Sequence, residues 1–366
     1  MKRRTVLLGG GSLVLAGAAG LAVRDTGSST AYDEAERKMR ETLAAHPFDQ
    51  DLVRYATLAP NSHNTQAWRF VVAPEGIAIH PDFARRTPVV DPDDHHLFVS
   101  LGAAAENLAL AGLARGTIGE PSFDARGSGS IGFTRRRAAP QPSQLFDAIP
   151  MRQSTRAEFD GRAVSPADLN TLLAASAIPG VTTLLVTDRL RMNRIRDLVM
   201  AGNSAQLGDP AFVDELKSWL RFSPRHALET GDGLYAAASG NPKFPEWLGQ
   251  RAFDLFFTAK SENDKYAHQL NSSAGIVIFS GQSSDREHWV KVGRACQRFA
   301  LQATALGLKH AFINQPVEVP TLRSDLASLV GLSGRRPDIV MRFGYGPLLP
   351  YSPRRPVADV MSAALS

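Results

Sequence analysis

"LFVSLGAAAENLALAGLARG" (97–116) and "HWVKVGRACQRFALQATALG" (288–307) are one pattern written twice. At a constant offset Val99, Gly102, Ala104, Ala109, Leu110, Ala114 and Gly116 match Val290, Gly293, Ala295, Ala300, Leu301, Ala305 and Gly307. The aromatic pair Phe98 and Trp289 and the bulky pair Leu108 and Phe299 keep the same register. Both stretches are rich in small residues and stop at a glycine, as helices do when they pack closely and end in a left-handed cap. A register held from the opening aromatic to the closing glycine points to an internal duplication, not to two core helices that share alanines by chance.

Each half repeats a plan around its long helix. The first reads as a helix over 32–58, a polar loop, strands near 69–73 and 76–80, and then the long helix. In the second, "SPADLNTLLAASA" starts a helix at the Ser165 cap, followed by a strand at 181–187 and a helix at 188–202. A buried strand at 274–280, the matching long helix and a strand over 338–346 complete it. Between 205 and 265 the amphipathic runs "DELKSWLRF" and "WLGQRAFDLFFTAK" have no counterpart in the first half and predict a helical lid. The expected division is a leader and linker at 1–31, a first half at 32–145, and a second half at 146–366 carrying the 205–265 insertion.

Composition narrows the class. A chain of 366 residues, 43% hydrophobic and 21% charged, is an ordinary globular protein with ample core. Cys296 alone excludes an internal disulfide framework, a cysteine metal cluster and an iron–sulfur site, and its helical setting reads as a small core residue. Of the net charge of +5, Lys2, Arg3 and Arg4 carry three units. The remainder forms no basic stripe with interleaved aromatics, which sets nucleic acid aside. "MKRRTVLLGGGSLVLAGAAGLAV" has the layout of an export signal, and its paired arginines resemble a twin-arginine signal. That implies a partner in the Tat translocon and an exported or membrane-associated protein, otherwise a cytoplasmic one. "RDTGSSTA" (24–31) reads as linker. "DPDDHH" (91–96) offers Asp and His at close spacing. Without a second cluster at ligand spacing it reads as a solvated helix N-terminus, where acidic groups favour the dipole, and no metal is expected.

"LAPNSHNTQAWRF" (58–70) crowds amide and hydroxyl groups between a helix and a strand, as a loop that wraps a planar, hydrogen-bonding cofactor must. This segment and three others, "MRQSTRAEFDGRAVS" (151–165), "INQPVE" (313–318) and "RFGYGPLLPYSPRRPV" (342–357), stand in the order of a known set. Through them the chain resembles the FMN-dependent nitroreductase superfamily, most closely its Acg-like branch, in which one chain holds two fused half-copies. The resemblance covers nearly everything after residue 45. It implies an α+β fold: a tandem duplicated nitroreductase-like fold with antiparallel and mixed sheets flanked by helices, and a helical lid insertion.

The resemblance also implies a cofactor site for FMN. Arg152, Gln153 and Ser154, with Arg354 or Arg355 from the tail, hold its phosphate, a task suited to forked guanidinium donors. Arg156 lies at the pyrimidine edge, where a cation raises the reduction potential. Pro60, Asn61, Ser62, His63 and Asn64 reach the ring from the first half, supported by Gln66, Trp68 and Phe70. Asn203 bonds the ring, and Gln315 belongs to the loop over its edge. The first half lacks an Arg-x-Ser-x-Arg segment, and the second has only "SAIPGVTT" at the place of the polar loop. One FMN per chain, a vacant pseudo-site and a monomer are therefore expected. The implied activity is an oxidoreductase in which NAD(P)H reduces the flavin and an electron-poor small-molecule acceptor, a nitroaromatic or quinone, receives the hydride. The alternative is a storage or sequestering protein whose lid occludes the flavin.

Overall fold

The computed structural model describes residues 26–42 and 48–364. The leader and the first two residues of its linker, Arg24 and Asp25, lie outside the described residues. Where the sequence predicts linker up to residue 31, a helix already begins at Ser29 and runs to Arg40, because Ser28 Oγ accepts the Ala31 N–H at 3.2 Å and caps it. The expected helix over 32–58 is two helices, Ser29–Arg40 and Phe48–Thr57.

The fold is α+β with two main sheets, one of them mixed, and two short two-stranded pairings among the described residues. The first has the order Met361–Ala363, Trp68–Ala73, Gly76–Pro81, Ser130–Thr134, Ser122–Asp124. All its pairings are antiparallel except that of Trp68–Ala73 with Met361–Ala363, which is parallel. The second sheet, Lys309–Phe312, Ile339–Gly344, Gly275–Gly281, Val181–Val186, is antiparallel throughout. Gly275–Gly281 is buried along its whole length, as its unbroken apolar run requires of a central strand. The strands near 122–134, Lys309–Phe312 and Met361–Ala363 are additions to the sequence reading. The last sends the C-terminal tail across to the first sheet.

Two long helices, His95–Ala114 and Arg286–Ala305, pack on one another between the sheets. Their contact is reciprocal. A Cβ added to Gly102 would lie 2.1 Å from the Val290 carbonyl oxygen, and one added to Gly293 would lie 1.9 Å from that of Val99. Only hydrogen at both positions lets the backbones approach this closely. Further along the seam the buried Glu106 carboxylate accepts from Arg294 Nε and Arg298 Nη1, both at 2.8 Å, and Gln297 Nε2 donates to Asn107 Oδ1 at 2.6 Å. His95–Ala114 is long and apolar enough to cross a membrane by composition, but it is 83% buried, which makes it the core helix of this fold.

The insertion forms a helical layer: Pro210–Ser218, Pro224–Thr230 and Glu246–Phe256, with the short parallel strands Leu220–Arg221 and Leu234–Tyr235. Its base is tied down by Asp232, which pairs with Arg221 at 2.7 Å and also with Arg85 from outside the layer.

Candidate functional site

The polar loop is built from strained backbone. His63, Asn64 and Gln66 have φ of 45°, 54° and 54°, so three non-glycine residues occupy the left-handed region within four positions. Such conformations cost roughly 1–2 kcal/mol each and persist only where surroundings fix them. Here the surroundings are the lid base and the tail. Asn64 Nδ2 donates to the Gly233 and Pro353 carbonyls at 3.0 and 2.9 Å, and Gln66 Nε2 donates to the Gly231 carbonyl at 2.8 Å. Gln66 Oε1 accepts the Arg355 N–H at 2.9 Å. Trp68 and Phe70 are fully buried beneath. The loop is therefore the joint of three segments distant in sequence.

Beside it opens a cavity of about 580 Å³, within the range of small-molecule and cofactor sites. Pro60, Asn61, Ser62 and His63 form one wall, and Val99, Ser100 and Cys296 bring the helix seam to it. Arg156, Asn203 and Gln315 face it from the second half. The lid closes it with an apolar surface that includes Phe212, Phe222, Phe253 and Phe257. Seven of the thirteen residues expected to hold a cofactor thus share this cavity: the four of the polar loop with Arg156, Asn203 and Gln315.

Arg156 dominates its electrostatics. Its guanidinium makes no hydrogen bond or ion pair among the described residues, and burial pulls its pKa below the usual arginine value, Tyr266 acting in the other direction. Burial, then the Arg156 charge, depresses His63 to about 4, so its imidazole is neutral near pH 7 and its Nδ1 is buried without a partner. Gln315 Oε1 is likewise buried and unpartnered, whereas Asn203 Nδ2 donates to Asn263 Oδ1 at 2.7 Å. Burial pushes the Glu318 carboxyl, also in the wall, up to about 7, although it accepts from Gln206 Nε2 at 2.6 Å. The Cys296 thiol is raised to about 12 by burial, which makes it an inert wall residue.

The other six expected residues stand elsewhere. Arg354 is turned to the end of the helix Phe48–Thr57, where Nε donates to the Thr57 carbonyl and Nη1 to Asn64 Oδ1, each at 2.7 Å. Helix ends leave such carbonyls orphaned, and a buried guanidinium satisfies several at once. Asn64 is engaged in the joint already described. Arg355 donates its backbone N–H to Gln66 and a guanidinium N–H to the Asp359 carbonyl at 3.1 Å. Gln153 clamps the tail through both the N–H and the carbonyl of Leu349. Ser154 bridges to His310 beside the second sheet. Arg152 is an intermediate case. Nη2 donates to the Leu58 carbonyl at 3.0 Å, but Nε and Nη1 are buried with no partner. Burial, reinforced by the Arg354 and Arg40 charges, lowers its pKa to about 9, and it lies near enough to Cys296 in the cavity wall to influence that thiol.

"DPDDHH" differs from its sequence reading. It does begin a helix, but a buried one: Asp91, Asp94, His95 and His96 are all under 10% exposed. Asp91 accepts the His96 and Leu97 N–H groups at 3.0 and 2.9 Å, and His95 Nε2 bonds Asp338 Oδ1 at 2.9 Å. One ligand atom from each of Asp91, His95 and His96 lies within 4.8 Å of the others. Glu318, at the end of the short helix Gln315–Glu318, meets His96, and Asp338, just before the strand Ile339–Gly344, meets His95, long-range contacts that periodicity alone does not reveal.

No family model matches the chain. The curated proteins it is similar to are named nitroreductases. In particular, it is 26% identical over 317 residues to the Mycobacterium tuberculosis H37Rv protein named "Putative NAD(P)H nitroreductase Rv3131", covering 84% of this chain and 88% of that one. It is 23% identical over 340 residues to "Putative NAD(P)H nitroreductase acg" of the same organism, covering 88% and 97%. Among solved structures, the FMN-dependent nitroreductase NfnB of Mycobacterium smegmatis in complex with NADPH aligns with a TM-score of 0.37 at 12% identity, over 56% of this chain and 87% of that one. A Desulfitobacterium hafniense nitroreductase with bound FMN aligns with a TM-score of 0.37 at 13% identity, over 59% and 94%.

Proposed function

We propose that this chain is an FMN-binding oxidoreductase of nitroreductase type. The observation that carries the reading is Arg156, a half-buried guanidinium without a partner among the described residues, facing a cofactor-sized cavity beside a strained polar loop. A charge drawn even partly out of water and left unpaired carries a cost, so this one fits a site that receives an electron-rich ring or an anion. The cavity satisfies two further needs of a flavin, unused polar atoms at His63 and Gln315 for ring carbonyls and nitrogens and an apolar lid for the ring face, and Arg152, outside its lining but near Cys296 in its wall, keeps two uncommitted donors suited to a phosphate.

A bound FMN supplies two-electron redox chemistry. The protein's residues orient it and set its surroundings. Arg156 favours negative charge at the edge it faces, neutral His63 offers hydrogen bonding without a second cation, and the lid phenylalanines exclude water. We assign NAD(P)H as donor and an electron-poor small molecule as acceptor. We also read the two halves as a fused duplication with one flavin per chain, acting as a monomer, supported by the aligned long helices and their reciprocal glycine contact. Export through the Tat translocon is proposed from the leader sequence alone.

The test is anaerobic titration. FMN added to the protein gains a bound, yellow fraction at about one per chain, and NADH or NADPH bleaches it. R156A weakens FMN by about 1.5–3 kcal/mol, the worth of a hydrogen bond to a charged group. A protein that refuses FMN overturns the reading, and one that holds FMN but never bleaches is a flavin store instead.

A further inference from the structure

The lid carries a surface that its own fold leaves uncovered. In the helix Glu246–Phe256, Gly249 and Phe253 face inward. A Cβ on Gly249 would lie 2.3 Å from the Phe222 ring, and Phe253 stacks on Phe257 with centroids 4.3 Å apart. The other side exposes Trp247 at 56%, Leu255 at 72% and Phe256 at 74%. Positions 247, 251 and 255 follow one another at i, i+4 and i+8, and 248 and 255 at i and i+7, so Trp247, Leu248, Arg251 and Leu255 share one stripe. Large apolar side chains facing water in a single stripe mark an interaction surface. Phe256, exposed next to Leu255 at the helix end but off this stripe, also lines the cavity, so exposed apolar surface continues from the helix end into the chamber.

We propose that this helix lies on a lipid surface at headgroup level, and that the chamber opens toward the bilayer to take an apolar ligand from it. Two observations select a lipid over a second copy of the chain. Arg251, exposed and without a hydrogen bond or ion pair among the described residues, projects from within the stripe. A protein interface would bury that charge at high cost, whereas at a membrane it snorkels to anionic phosphates. The second observation is where the N-terminal stretch joins the fold. Residues 5–23 contain no charged side chain. Ser29 Oγ, a few residues on, accepts from Lys243 Nζ at 2.7 Å, immediately before the lid helix, and Gly27 packs on Arg225 in the lid layer. The residues from Val23 to Gly27 span at most about 14 Å, so a bilayer holding the apolar stretch lies against the lid. The docking is independent of the flavin reading.

The experiment uses the full-length chain with vesicles of phosphatidylglycerol and phosphatidylethanolamine carrying acyl-chain bromine, and isolates Trp247 by difference from W247F. Trp247 emission shifts to the blue and is quenched by the brominated lipid. L255D, a change at a side chain 72% exposed, restores Trp247 to water and weakens docking about tenfold, the loss of one buried leucine's transfer energy. R251E, with the fold unaltered, removes the preference for anionic over zwitterionic vesicles. Protein that does not bind vesicles overturns the proposal. So does bound protein whose Trp247 stays open to an aqueous quencher, because the N-terminus alone then holds it. Shielding of Trp247 without lipid, with a doubled mass in sedimentation that L255D abolishes, overturns it in favour of a second copy.

Discussion

The helix seam makes the most quantitative demand on the structure. In G293A the new Cβ would sit 1.9 Å from the Val99 carbonyl oxygen, and in G102A 2.1 Å from that of Val290. Ordinary carbon–oxygen contact is about 3.3 Å, so the helices must separate by roughly 1.2–1.4 Å in either variant. Both clashing atoms belong to backbone, so no side chain can swing aside. Overpacking of this kind costs about 3 kcal/mol, the upper part of its usual range, and the better helix propensity of alanine returns about 1. Each single variant should lose about 2 kcal/mol, read as a lowered urea midpoint at unchanged slope. The double variant should lose clearly less than the sum, because one separation relieves both clashes. G307A is the control: φ is +74° and no atom lies within 4 Å, so it carries backbone strain without a clash. Val99, Ala103 and Cys296 line the cavity, so the seam variants should also weaken FMN binding while G307A does not. Singles that stay within about 0.5 kcal/mol of the parent, the usual effect of an uneventful substitution, would refute the packing argument, as would strict additivity.

Two other outcomes follow from the site. R354A leaves the carbonyl end of the helix Phe48–Thr57 without its donors, so stability should fall by about 1–3 kcal/mol, the cost of a buried acceptor left unsatisfied, while FMN affinity of the protein that remains folded changes little. Denaturation and flavin titration on one preparation separate the two effects, and selective loss of FMN would make Arg354 a phosphate ligand after all. The second outcome concerns pH. Burial raises Glu318 and Asp91 to about 7 and Asp338 to about 6, so each holds its proton in the folded protein after the unfolded chain has released it. Their contribution is complete below the unfolded carboxyl pKa and is lost as pH rises through those folded values. His63, held neutral with its pKa at about 4, and His95, His96 and His310, also pulled down by burial, act in the opposite sense over the same interval, so the carboxyl effect is read as a difference: the stability of the parent relative to E318Q should fall from about pH 4 to pH 7 in urea midpoints. A parent protein that gains stability relative to E318Q over that interval would contradict the Glu318 assignment.

Much of the architecture is legible in the chain itself. Apolar periodicity and caps locate the strands Trp68–Ala73, Gly76–Pro81, Val181–Val186 and Gly275–Gly281, both long helices and the lid helices, because those signals are local and repeated. The same holds for one cavity wall: residues 60–63 crowd short polar groups into a single turn. Long-range pairing is harder to read. Met361–Ala363 is a short strand whose partner lies nearly the whole chain away, and nothing in its own sequence names that partner.

The division is sharpest among the arginines. The resemblance gives Arg152 and Arg354 the phosphate and Arg156 the ring edge, but by residue type alone all three are equally fit to meet an anion. Tertiary structure separates them. The end of the helix Phe48–Thr57 exposes carbonyls that must find donors, and the guanidiniums that reach them come from 94 and 297 residues away. Arg354 is thereby spent on backbone, Arg152 is half spent, and Arg156 alone faces the cavity unpaired among the described residues. Residue type and spacing determine what a side chain can bond; which buried groups compete for it is decided only when distant segments meet.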